Sequence, residues 1–264
     1  MTDALAPEPP KSPLDRVLGL AADVRGGEGV TVVLLALNGF LLLAAYYAIR
    51  PVRSALLLKE DLLLPGGALL KGEEITSYLG AVLAALFLVI VPLYGALAGR
   101  VTRIYLINSV TTFFIVTLMA FYVVASSGIY PVAVGILFYV WIGVFSLMVI
   151  AQFWSFANDL YTPEEGKRLF AIIGFGGSAG AVIGAFMTSR LANRLQPVDM
   201  MIIAAITLAA YLLLTNVIHT RDRRTRAGAR RTCRRHAARG CTSRPHRAPM
   251  RPSPSRAGSA PRCR

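Results

Sequence analysis

Up to Thr220 the chain contains no cysteine and a single histidine, His219. It therefore has no CxxC pair, no HExxH helix and no clustered His/Cys spacing able to hold zinc, and no nucleophile sits beside a base, so nothing supports an enzyme. A phosphate loop is missing too. The stretch Gly67-Ala68-Leu69-Leu70-Lys71-Gly72 lacks the GxxxxGK[ST] spacing and reads as a turn after Pro65-Gly66-Gly67. No cofactor or metal is implied. Residues 1–29, with Pro7, Pro9, Pro10 and Pro13, lack the basic start, apolar centre and small-residue cleavage site of a signal peptide. They read as a flexible cytoplasmic amino-terminal segment.

The last 44 residues lack Lys, Phe, Trp and Tyr, and Asp222 is their sole acid. They hold 15 arginines and all three cysteines, so the net charge of +14 lies entirely there, while residues 1–220 are balanced. With no interleaved aromatics, no specific nucleic-acid partner is implied. A basic arm on anionic lipid or RNA has a mechanism, but the abrupt change of composition after His219 favours a disordered Arg-rich tail over 219–264 of the kind a GC-rich gene yields out of frame.

What is present is apolar. Hydrophobic residues make up 55% of the chain and fall in long blocks, which places it among integral membrane proteins. The pattern predicts an all-α six-helix membrane domain over 30–218, with spans at about 30–56, 75–98, 104–125, 130–157, 169–190 and 198–218, and the lipid bilayer as its first partner. Thr162-Pro163-Glu164-Glu165 is a helix-start signature ahead of the fifth span. In that span Gly176, Gly180 and Gly184 recur at four-residue spacing, which suits close helix packing in lipid. Six spans put both ends on one side. With that side cytoplasmic, Lys and Arg count 7 inside against 6 outside, or 7 against 4 once Arg50 and Arg53 are set aside as intramembrane. The localisation expected is the inner (plasma) membrane.

Those two arginines interrupt the first span. Val30 to Ile49 has eleven Val, Leu, Ile or Phe and no charge, then Arg50-Pro51-Val52-Arg53 follows, and the apolar run resumes at Ala55. A central arginine costs roughly 2.5–3.5 kcal/mol, which eleven residues at about 0.3–0.6 kcal/mol each offset, so insertion survives. Tyr46, Arg50 and Arg53 share one helical face, and Pro51 leaves the Tyr47 carbonyl without its helical donor. Two readings stand side by side: a face toward a watery cavity, or side chains reaching the headgroups.

Two blocks resemble the ATP/ADP translocase (nucleotide transporter) family of the major facilitator superfamily. Tyr46-Tyr47-Ala48-Ile49-Arg50-Pro51-Val52-Arg53 is similar to its Y-x-I-L-R-x-x-K/R. Phe153-Trp154-Ser155-Phe156-Ala157-Asn158, followed by Glu165-Gly166-Lys167-Arg168-Leu169-Phe170, is similar to its F-W-x-F-A-N … E-A-K-R-F. Tyr94 to Arg103 resembles the superfamily's hairpin motif, with Gly99 where that motif has its acid. The resemblance implies the amino-terminal half of a twelve-span antiporter, needing a second half or second copy for alternating access.

On that footing an anionic small-molecule substrate such as a nucleotide would have its phosphates on Arg50 and Arg53, with Tyr46 against the same ligand. Gln152 and Asn158 are further substrate-binding candidates, although polar groups in membrane bundles also join helix to helix. Trp154 is expected as an interfacial anchor rather than a nucleobase platform. The alternatives are a facilitator of an unrelated solute and a truncated, non-transporting membrane protein.

Overall fold

The structure is a computed structural model that describes residues 29–57, 62–63, 69–70, 72–128, 131–191 and 194–242. Residues 1–28, the Pro65-Gly66-Gly67 turn and 243–264 lie outside them. Six helices are long and apolar enough to cross a membrane. They are α1 (Gly29–Leu57), α2 (Gly72–Ala98), α3 (Arg103–Ser127), α4 (Pro131–Leu160), α5 (Pro163–Leu191) and α6 (Met200–Thr242). Between α1 and α2, β1 (Leu62–Leu63) and β2 (Leu69–Leu70) pair antiparallel, Leu62 opposite Leu70.

Local chemistry sets the helix ends. In α5, Thr162 N–H donates to Glu165 Oε2 at 2.8 Å and Glu165 N–H to Thr162 Oγ1 at 3.4 Å, the reciprocal pair expected there. At the end of α3, Gly128 takes φ 69°, and its N–H returns to the Ala125 carbonyl. Helix α1 carries Pro51 internally and continues past both arginines to Leu57. Helix α6 runs on beyond the apolar residues to Thr242. Residues 219–242, expected to lack order, are thus helical, because Arg and Ala are strong helix formers. The first compact unit ends at Ile218, and the second begins at His219.

Within the first unit α1 is the central element. Val32, Leu35, Leu42, Ala45, Ile49 and Val52 recur at helical spacing and are buried. On the same seam the Asn38 amide donates to Thr215 Oγ1 of α6 at 3.1 Å. Asn108 of α3 and Asn216 of α6 exchange hydrogen bonds at 2.9 and 3.0 Å. The glycine stripe of α5 lies against α1. A Cβ on Gly176 would come within 2.5 Å of the Ala36 carbonyl oxygen, while Gly180 and Gly184 meet the backbones of Phe40 and Ala44. Only backbones without side chains approach this closely.

Those contacts advance together in residue number, so α1 and α5 run parallel. Gly39 meets Phe153 and Arg53 meets Tyr139, so α4 runs antiparallel to α1. Large apolar side chains cover the outside, among them Leu88 of α2, Phe175 of α5 and Leu213 of α6. In water that surface would aggregate; in a bilayer it meets acyl chains.

Candidate functional site

At about 100° per residue, Gly39, Leu43, Tyr46, Arg50 and Arg53 fall along one stripe of α1. On α4, Tyr139, Gly143, Ser146, Ile150 and Phe153 do the same. The two stripes face each other in antiparallel register: Arg53 beside Tyr139, Leu43 and Ile150 lining one cavity, and Gly39 beneath the Phe153 ring. Arg50 and Arg53 are thus the charged end of a seam between α1 and α4 whose other end is apolar.

The Arg53 guanidinium carbon sits 4.3 Å from the centroid of the Tyr139 ring, a cation–π contact. Tyr139 is itself buried between α4 and the Ile75, Leu79 and Leu83 face of α2. Arg53 Nε is buried with no hydrogen-bond partner. Arg50 is exposed, with its guanidinium 5.8 Å from the Tyr47 ring. Among the described residues neither arginine forms an ion pair with a carboxylate. Two cations on one stripe, with no acidic partner among the described residues, leave donor capacity for an anion. Tyr46, half-buried on the same stripe, meets Tyr47 edge to face at 5.3 Å.

The other two sequence candidates lie elsewhere. Gln152 is 13 residues beyond Tyr139, about 20 Å along α4, and on the opposite face of that helix. It is fully buried, and neither amide atom has a hydrogen-bond partner. The Tyr94 hydroxyl of α2, likewise buried without a hydrogen-bond partner, lies beside it. Asn158 is exposed at the far end of α4. The structure therefore brings Tyr46, Arg50 and Arg53 together and separates Gln152 and Asn158 from them, because both fall off the face that points to α1.

Beside Asn158, Arg103 of α3 ties that end of the bundle. Its Nε lies 2.8 Å from Asp159 Oδ2, and Nη1 donates to Ser155 Oγ. Arg103, like Asp159, is more than a third exposed.

Tyr139, in contact with Arg53, is not a residue the sequence alone singles out. The spacing 139, 143, 146, 150, 153 repeats that of 39, 43, 46, 50, 53, but every face of a helix has this spacing. An uncharged apolar run hides it, since nothing marks which face of α4 meets the arginines.

Residues 134–220 match the family model described as TLC ATP/ADP transporter. Neither a curated protein nor a solved structure matches the chain. The matched stretch is a third of the sequence and covers most of α4, all of α5 and the apolar part of α6. Arg50 and Arg53 fall outside it. With six helices able to span a bilayer, this similarity supports a multi-pass membrane protein of the nucleotide-transporter kind.

Proposed function

We propose that this chain is a membrane transporter of nucleotides, with the phosphates of ATP or ADP held by Arg50 and Arg53. The carrying observation is the pair of guanidinium groups on one stripe of an otherwise apolar helix, one fixed on Tyr139 and neither paired with a carboxylate among the described residues. The similarity of residues 134–220 to ATP/ADP transporters supplies the substrate class.

In a low-dielectric groove, a forked donor binds a phosphate with two parallel charge-assisted hydrogen bonds. Stacking on Tyr139 holds the Arg53 fork in one plane before the ligand arrives, which lowers the ordering cost of binding. Tyr46, one turn below Arg50, lies beside the bound phosphates. Each arginine is worth about 1.5–3 kcal/mol as a donor to a charged group. The ligand is released when the groove opens to the other side and water competes for the same donors.

The helices form one half of a facilitator-type carrier, with both termini cytoplasmic in the inner (plasma) membrane. A second six-helix half, or a second copy, completes the pathway, and the substrate lies between the halves. Uptake of labelled ATP into proteoliposomes loaded with ADP tests this. Exchange that requires internal ADP and is lost in Arg50→Ala and Arg53→Ala supports the reading, while exchange unchanged in both variants removes the arginines from the site.

A further inference from the structure

Between α1, α4 and α5 lies a cavity of about 220 Å³, lined by Gly39, Leu43, Ile150, Phe153, Trp154 and Gly174 among others. We infer that this slot takes the purine base of the nucleotide whose phosphates Arg50 and Arg53 hold. The inference rests on the proposed function and adds the residues that read the other end of the substrate.

Three observations carry it. The first is the wall. Phe153 and Trp154 stand edge to face at 5.4 Å, and Trp154 stays 38% exposed. The Phe153 ring lies so close over Gly39 that a Cβ there would be 2.9 Å from it, which fixes the ring at the slot. Aromatic faces of this kind stack on any base.

The second is the floor. A Cβ built on Gly174 meets nothing within 4 Å, so that position opens into space rather than onto a neighbouring helix. This sets Gly174 apart from Gly176, Gly180 and Gly184, which the α1 backbone fills. At about 220 Å³ the void has room for a heterocyclic base.

The third is position. Leu43 lines the slot, and Arg50 lies two helical turns further along the same stripe, about 10 Å away. That is the separation of base and outer phosphates in an extended nucleotide. Another cavity, between α1, α5 and α6, about 270 Å³, is lined on the α1 side by Phe40, Leu41, Ala44 and Ala48, off the arginine stripe. It lacks the charge that a nucleotide requires.

Trp154 then acts as a base platform in place of the headgroup anchor expected for it.

The test uses the full chain in phosphatidylcholine nanodiscs, with Trp141→Phe so that Trp154 is the sole tryptophan. ATP is compared with inorganic tripolyphosphate, which has the charge and no base. ATP binds about tenfold more tightly than tripolyphosphate and quenches Trp154 fluorescence, whereas tripolyphosphate leaves the emission unchanged. Gly174→Leu fills the slot, brings ATP down to the affinity of tripolyphosphate and leaves tripolyphosphate binding intact, which also shows that the variant folds. Wild-type ATP affinity in Gly174→Leu, or emission indifferent to ATP, overturns the base slot while arginine-dependent tripolyphosphate binding upholds the phosphate site. If neither ligand binds, or both bind equally well to Arg50→Ala and Arg53→Ala, the proposed function falls and the base slot with it.

Discussion

The guanidinium of Arg53 lies 4.3 Å from the ring centroid of Tyr139, across the interface of α1 and α4. An arginine in this setting has two costs, loss of water and loss of rotamer freedom, and the ring offsets part of both. Tyr139→Phe keeps the π-face and retains ATP affinity within about twofold, while Tyr139→Leu lowers it by roughly 3- to 30-fold, the range of a desolvated cation–π contact. Isothermal titration of the two variants distinguishes them. Equal affinities would mean that the ring does not hold the fork.

Close approach of α1 and α5 makes a second expectation. A Cβ at Gly180 would strike the Phe40 backbone, which no rotamer change relieves. Gly180→Ala lowers stability by about 1–3 kcal/mol, as overpacked cores do. Gly174→Ala, with open space ahead of it, stays within about 0.5 kcal/mol of wild type. Thermal unfolding in detergent micelles reads the difference, and equal shifts would contradict the placement of the stripe.

The glycine spacing and the helix start at Thr162 were legible because each is a local pattern with one good physical solution. The six spans were legible for the same reason: a bilayer demands long uninterrupted apolar runs. Periodicity also put Tyr46, Arg50 and Arg53 on one face. It could not say which face of α4 they meet, because a helix apolar all round carries no stripe to read. Gln152 and Asn158 are candidates for their polarity, and rotation about α4 turns both away from the face that meets Arg53. The helix beyond Ile218 is not legible from an Arg-rich composition without apolar periodicity, because that composition signals lack of a packed face and not lack of helix.

The Asn38 and Thr215 pair yields a third expectation. Both are fully buried, and Thr215 Oγ1 receives the Asn38 amide at 3.1 Å. Thr215→Val keeps the shape and strands that amide, for a loss of about 1 kcal/mol, at the upper end of the modest range for polar contacts in membrane bundles. Gln152→Met acts in the opposite sense, since both amide atoms there already lack partners. It leaves stability unchanged or raises it, and ATP affinity stays as in wild type. Weaker ATP binding in that variant would return Gln152 to the site.

Arg103 and Asp159 join α3 to α4 at the end remote from Arg50, and both are substantially exposed. Screening by water and salt limits such a pair to about 0–1 kcal/mol. Asp159→Asn therefore shifts the unfolding midpoint little at 0.15 M salt. A loss above 2 kcal/mol would show that the pair holds the bundle together.

Equilibrium binding of labelled ATP to the full chain in nanodiscs, comparing wild type with the Arg50→Gln/Arg53→Gln double variant, addresses the role of the two cations most directly. Loss of two charge-assisted contacts weakens binding by a factor on the order of 100 or more. The same dissociation constant in both proteins would mean that the guanidinium groups serve the headgroup layer and hold no substrate.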